Sequence, residues 1–172
     1  MKKTFSIFIS FALPILFVVS VSAQAKKTPL DSASAAKIVQ LLKDSGHIHG
    51  QLADNVWLVR FRGNTLDDVV VTTIVSPEGL LILSSVVAEK KDFRATPELM
   101  AKLLRMNNDY DRMKVGIKEN GDMFVRIDLS LRVTDSQEFK LNVEQVSAAA
   151  DEIAAAIKPF LLVAPAAKKP VK

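Results

Sequence analysis

The residue types that could perform chemistry are few in this sequence and do not form a complete catalytic set. His47 and His49 are the only two histidines, and on a strand this spacing places both side chains on one face, as metal ligands can lie. Asp54 follows closely, so a metal-dependent hydrolase that uses His47, His49 and Asp54 is one hypothesis. The simpler interpretation is a solvated entry to the first strand, and we assign no metal ligand.

Two further groups of residues supply oxygen atoms without the pattern of a binding loop. Asp67 and Asp68 are adjacent, and residues 107–111 contain two asparagines and two aspartates. Neither group has the glycine and terminal glutamate of a calcium loop, so residues 107–111 are interpreted as the end of a helix and the start of a strand. Cysteine is absent, as are nucleophile-elbow, P-loop and dinucleotide-binding motifs. We therefore predict no cofactor and no enzymatic activity.

One polar row is a candidate surface for a partner. Arg126, Asp128, Ser130 and Arg132 alternate with apolar residues on one predicted strand, and Lys114 flanks them on the strand before it. This row could bind an acidic or extended polypeptide, although a solvated polar face would have the same pattern. The single tryptophan, Trp57, is either a core residue or a partner-facing aromatic. We therefore name as partner-binding candidates Trp57, Lys114, Arg126, Asp128 and Arg132.

Three helices have recognisable boundaries. Residues 31–32 can cap the first helix, and Gly46 can end it in a left-handed conformation. Residues 96–98 (Thr-Pro-Glu) are typical of a helix start. Asp135 and Glu138 form a capping box for a long third helix.

Five strands lie between these helices. Hydrophobic patterning predicts them over residues 56–62, 69–75, 80–87, 112–118 and 125–133, with an Asn-Gly turn at 120–121 joining the last two. The order α-β-β-β-α-β-β-α predicts an α+β fold with an antiparallel five-stranded sheet packed by helices. Residues 69–75 and 80–83 are apolar on both faces, so either helices cover both sides or a second copy does. We favour a homodimer.

The N-terminus indicates export. A positive start, an apolar middle and a small-residue exit are typical of a secretory signal peptide, and cleavage after either Ala23 or Ala25 fits its rule. The apolar stretch is interrupted by Pro14 and is short for a membrane anchor. We expect a signal peptide over residues 1–25, a polar lead over 26–30, an α+β domain over 31–163 and a disordered basic tail over 164–172. The mature chain is then periplasmic or secreted, without a transmembrane segment.

Charge argues against nucleic acid as a partner. The formal net charge is +4, but seven of the 23 Lys and Arg lie near the termini, and all 19 acidic residues lie between Asp31 and Glu152. Residues 28–167 therefore carry 16 minus 19, or −3. A nucleic-acid-binding domain normally shows a basic patch instead.

Four stretches carry a family resemblance. They are residues 103–108 (LLRMNN), 115–117 (VGI), 120–126 (NGDMFVR) and the helical segment 145–156. These stretches resemble the YbjN domain family, whose members share the type III secretion chaperone-like fold, and the resemblance extends over roughly residues 30–162. It implies a non-enzymatic, commonly dimeric binding fold and carries over no catalytic residue. The signal peptide is a departure, because secretion chaperones act in the cytoplasm before export.

These observations favour an exported binding or chaperone-like accessory protein that engages a polypeptide partner. The alternatives are the metal-dependent hydrolase described above and a structural envelope protein whose lysine-rich tail contacts anionic lipid or wall polymer.

Overall fold

The computed structural model describes residues 31–162, and the predicted signal peptide, polar lead and basic tail lie outside this range. Within these residues, three α-helices and six strands follow one another. In order they are α1 (Ser32–Ser45), β1 (His49–Ala53), β2 (Val56–Phe61), β3 (Val69–Val75), β4 (Leu80–Ala88), α2 (Pro97–Asp109), β5 (Lys114–Ile117), β6 (Met123–Ser130) and α3 (Ser136–Ile157). Short 3-10 turns at Lys90–Asp92 and Lys158–Phe160 complete the described chain.

The helices begin and end where the capping residues predict. The Asp31 carboxylate accepts backbone N–H bonds from the first turn of α1, and Gly46 ends that helix with φ of 72°. Thr96 caps α2, with proline at its first position. Asp135 accepts the N–H of Glu138 at 2.8 Å and so starts α3, but the Glu138 side chain binds Arg112 and does not complete the predicted capping box.

All strands pair antiparallel in one sheet, in the order β1-β2-β3-β4-β6-β5. The predicted α+β fold is confirmed, but the sheet has six strands where five were expected. The additional strand is β1, whose five residues are all exposed. Because neither of its faces is buried, it lacks the alternating pattern that reveals a strand in sequence.

The last strand is shorter than predicted. β6 ends at Ser130, because the carbonyl oxygen of Ser130 accepts the backbone N–H groups of Val133 and Thr134 at 3.2 and 3.1 Å. The Thr134 hydroxyl donates to the same oxygen at 2.8 Å. Arg132 and Val133 therefore lie in a turn, and the expected strand over residues 125–133 is wrong beyond Ser130.

The helices lie on one side of the sheet and enclose a single core. α3 packs across β3, β4 and β6, α1 packs against α3, and α2 packs along β5. All three helices contribute buried residues to the same cluster as the alternating strand residues Val71, Leu83 and Ile127. No helix within residues 31–162 has both the length and the apolar character that a membrane crossing requires.

Candidate functional site

The face of the sheet opposite the helices is the main candidate surface, and we call it the open face. Its residues are the strand positions that alternate with the core positions. Register pairs place them side by side across β2, β3, β4, β6 and β5: Val56 with Ile74, Leu58 with Thr72, Arg60 with Val70, Ile74 with Ile82, Ile82 with Asp128, Ser84 with Arg126, Val86 with Phe124, and Arg126 with Lys114. The described helices pack against the other face.

The centre of the open face is apolar. Its half-buried apolar residues are Val56, Leu58, Val70, Ile74 and Ile82. Beside them, Leu80 and Val86 on β4 are 43% and 42% exposed. These residues form what we call the apolar strip, which crosses strands β2, β3 and β4. Contiguous exposed apolar surface of this kind is typical of an interaction site.

A charged cluster lies at the β6–β5 end of the open face. Asp128 Oδ2 accepts bonds from Lys114 Nζ at 2.6 Å and from Arg126 Nη2 at 3.0 Å. The Asp128 side chain is 19% exposed, whereas Lys114 is 59% exposed. The fold therefore brings together three of the predicted partner-binding residues, Lys114, Arg126 and Asp128. The Lys114 ammonium group remains accessible to solvent at the edge of the cluster.

The same cluster retains unused hydrogen-bonding capacity. Asp128 Oδ1 and Arg126 Nε are buried and make no hydrogen bond with the described residues. A buried polar atom without a partner costs roughly 1–3 kcal/mol. Side-chain adjustment that exposes one acceptor and one donor here would match the N–H and C=O groups of an extended backbone.

The other two predicted partner-binding residues lie elsewhere. Arg132 follows the end of β6, and its backbone oxygen accepts a bond from Lys37 Nζ at 3.0 Å. It therefore does not continue the polar row of β6. Trp57 is 6% exposed and belongs to the core cluster on the helix side of the sheet.

Phe124 and the exposed residues Leu80 and Val86 were not among the predicted site residues. Phe124 occupies a polar-face position of β6, and Lys118 Nζ lies 5.9 Å from the centre of its ring. An aromatic residue at an outward position was the sequence signal for it. The two-sided hydrophobicity of residues 69–83 indicated the apolar strip but could not show which face the helices leave open.

The two histidines do not face a common centre. His47 Nε2 lies 3.0 Å from Glu144 Oε1 on α3, whereas His49 Nδ1 lies 2.9 Å from the backbone oxygen of His47. The His47 ring also packs against Phe61. Within residues 31–162 no group of three or more histidine, cysteine, aspartate or glutamate side chains is arranged to hold a metal ion.

A second concave surface lies between the turn that follows α2 and helix α3, with Tyr110 and Arg112 among its lining residues. The Tyr110 hydroxyl donates to Glu152 Oε2 at 3.1 Å. Burial, with the Glu152 carboxylate as a second cause, raises the pKa of Tyr110 to about 12. Arg112 binds Glu138 at 2.7 Å and lowers the pKa of that carboxyl group. These pairs join the turn that follows α2 to α3, which favours a structural role for this surface.

A family assignment agrees with this architecture. The sequence profile of the YbjN family, described as “Putative bacterial sensory transduction regulator”, matches residues 35–159. The chain belongs to the YbjN family. This confirms the resemblance expected from the sequence. No curated protein sequence is detectably similar to the chain.

Solved structures show the same fold. The crystal structure of YbjN from E. coli is similar to this chain with 16% identity and a TM-score of 0.56, covering 74% of this chain and 95% of that one. The Yersinia pestis type III secretion chaperone SycH, in complex with a fragment of YscM2, has 10% identity and a TM-score of 0.51 over 73% of this chain and 99% of that chain. The ExsC–ExsE complex has 14% identity and a TM-score of 0.53 over 80% and 100%. This YbjN-family protein therefore has a type III secretion chaperone-like fold.

Proposed function

We propose that this YbjN-family protein is an exported, non-enzymatic binding protein with chaperone-like activity that engages a polypeptide on its open face. The observation that carries the proposal is the apolar strip, which the described helices leave uncovered and which ends at the charged cluster of Lys114, Arg126 and Asp128. An extended polypeptide offers apolar side chains for the strip and polar backbone groups for the cluster.

The physical driving force for binding lies in the strip. Covering apolar surface contributes roughly 25 cal/mol per Å², and Leu80 and Val86 each leave about two fifths of their surface uncovered. The charged cluster adds less affinity but favours partners with an exposed acidic group beside an apolar stretch, because Lys114 remains 59% exposed. The two parts together favour an amphipathic, extended segment.

The comparison structures support a polypeptide partner by analogy. SycH is in complex with a fragment of YscM2, and ExsC is in complex with ExsE. Secretion chaperones act in the cytoplasm, whereas this chain is proposed to be exported, so its partner belongs to the envelope. The net charge of −3 over residues 28–167 does not favour nucleic acid, although the family description names a regulator.

Binding is tested with the full chain and fluorescently labelled unfolded polypeptides. We expect wild-type protein to raise the anisotropy of labelled peptides that contain an apolar stretch and to slow the aggregation of a denatured client. L80D and V86D should weaken both effects because each places a charge in the strip. L141D is the matched control, since Leu141 is 49% exposed but lies on α3.

Equal binding by all four proteins would place the site elsewhere. Absence of both peptide binding and aggregation suppression in wild-type protein would refute the chaperone-like activity. Export has its own test: the intact mass of protein recovered from the periplasm should correspond to a chain that begins at Gln24 or Lys26. A cytoplasmic protein that retains Met1–Ala23 would contradict it.

A further inference from the structure

The two edges of the sheet differ in their availability for pairing. At the β5 edge, the side chain of Asn107 takes the place of a neighbouring strand. Its Nδ2 donates to the Val115 oxygen at 2.7 Å and its Oδ1 accepts the Val115 N–H at 2.8 Å. This side-chain amide occupies both backbone groups of Val115, so α2 protects the β5 edge.

The β1 edge has no comparable protection within the described residues. All five residues His49–Ala53 are exposed, and the sequence His-Gly-Gln-Leu-Ala contains neither a charged residue nor proline. Natural sheets usually protect their edges with lysine, proline or a covering segment. Two large apolar residues also lie here, with Ile48 79% and Leu52 65% exposed.

The alternation of hydrogen bonds between β1 and β2 shows which residues of β1 direct their backbone N–H and C=O groups away from the sheet. Arg60 N–H donates to the Ile48 oxygen at 3.1 Å, and Gly50 is opposite Leu58. Because hydrogen-bonded and non-hydrogen-bonded pairs alternate in an antiparallel ladder, Ile48 and Gly50 direct their backbone groups towards β2. His49 and Gln51 therefore direct their N–H and C=O groups away from the sheet.

We propose that β1 pairs antiparallel with β1 of a second copy of this chain, with Gly50 at the two-fold axis. In this register His49 of each copy faces Gln51 of the other, and each such pair can exchange two backbone hydrogen bonds. The closest backbone approach, about 4.5 Å between Cα atoms in a non-hydrogen-bonded pair, then falls at the glycines. This inference assigns a surface to the homodimer predicted from the sequence.

The side chains on β1 are self-complementary in the same register. Ile48 and Leu52 line one groove of about 240 Å³ together with Leu58 and Arg60. About the Gly50 axis, Ile48 of each copy lies close to Leu52 of the other, so the dimer contains two apolar contacts of this kind. A foreign strand would need the same spacing of apolar residues, whereas a second copy has it by symmetry.

The proposed pairing between the two β1 strands is short, so the dimer should be weak. The regular ladder of β1 ends at Gln51, because a bulge lies between Gln51 and Ala53 and includes Leu52. Such a small interface belongs to the weak, transient class. The dimer should therefore dissociate on dilution. When formed, it joins the sheets of two copies and places their open faces in one continuous surface.

The first test uses Q51P in the full chain. The Gln51 N–H points away from β2, so proline removes a donor that the monomer does not use, and an edge strand tolerates it. We expect sedimentation velocity to show a concentration-dependent dimer for wild-type protein and a monomer for Q51P, with identical far-UV circular dichroism. A wild-type chain that stays monomeric at about 1 mM, where even a weak specific complex should form, would overturn the proposal.

A pair of double variants tests the register and identifies the occupant. I48K/L52K places lysines opposite one another and should abolish the dimer, whereas I48K/L52E places each introduced lysine opposite an introduced glutamate and should retain it. Loss of the dimer in both variants, or in neither, would contradict the Gly50-centred register. If L80D abolishes peptide binding but leaves the dimer intact, and Q51P does the reverse, the two proposals are shown to be independent.

Discussion

Asn107 offers a quantitative test of how the sheet edge is held. Its side-chain amide makes three hydrogen bonds: it donates to the Leu103 oxygen at 3.1 Å and to the Val115 oxygen at 2.7 Å, and it accepts the Val115 N–H at 2.8 Å. N107A removes all three and leaves the outward N–H and C=O groups of Val115 unpaired. Because Val115 is 6% exposed, water can replace these bonds only in part.

The expected loss of stability can be worked from these bonds. Each intramolecular hydrogen bond contributes about 1 kcal/mol, and water can partly replace the bonds of the half-buried Asn107, so we expect a loss of about 2 kcal/mol. For a domain of about 130 residues this lowers Tm by roughly 7 °C. Urea denaturation followed by circular dichroism measures the free energy of unfolding directly, and the m-value should not change.

Asn108 supplies the matched control. Its side chain is exposed and bonds only weakly to Asp109, at 3.4 Å, so N108A should change the free energy of unfolding by less than about 0.5 kcal/mol. Hydrogen exchange at the Val115 amide should accelerate in N107A alone. If N107A and N108A have equal stability, or if the Val115 amide exchanges at the wild-type rate in N107A, then Asn107 does not hold the β5 edge.

Three further predictions concern the core and the β2–β3 loop. Thr73 is fully buried and its hydroxyl has no partner among the described residues, so T73V should raise the free energy of unfolding by about 1 kcal/mol. T134V should instead lower it by about 1 kcal/mol, because the Thr134 hydroxyl donates to a carbonyl oxygen. Equal effects of the two variants in urea denaturation would contradict this prediction. A Cβ on Gly63 would collide with the Asp151 carboxylate, while one on Gly50 meets nothing within 4 Å, so G63A should lower Tm and G50A should not; unchanged Tm in G63A would refute the close approach. The backbone N–H groups of the β2–β3 loop hold the pKa of Asp151 below its ordinary 3.8, so this carboxylate stabilises the fold fully above pH 3.8 and the benefit is lost as pH falls through the lowered pKa. The Tm difference between wild type and D151N should therefore shrink below pH 3.8, and a difference that is constant with pH would count against it.

Local patterns in the sequence predicted most of the fold. Asp31, Thr96 and Asp135 each precede an amphipathic stretch, and their caps depend on neighbours three residues away at most. Strands β2, β5 and β6 were predicted because core-facing residues alternate with outward ones, and β3 and β4 were predicted as continuous apolar runs separated by a turn. These signals are local, so they can be interpreted without knowing which elements meet.

β1 and the end of β6 were predicted less well for physical reasons. β1 is held by backbone bonds to β2 rather than by burial, so its side chains carry no periodic signal. β6 ends where the Ser130 oxygen turns to accept bonds from the residues after it. The alternation of apolar residues continues to Val133, which is nonetheless 66% exposed.

The candidate site, like the fold, was predicted only in part from the sequence. The sequence alone determined that residues 69–75 and 80–83 are apolar on both faces and that Lys114, Arg126 and Asp128 share the outward face of one hairpin. Only the tertiary structure decided that the described helices cover a single face, that Trp57 belongs to the covered one, and that β1 rather than β5 is the accessible edge. These outcomes depend on contacts between residues far apart in the chain, such as Asn107 closing β5 from α2 and α3 packing across three strands. The periodicity of apolar residues predicts which side chains favour burial, whereas the packing of the helices on the sheet determines which of them are buried.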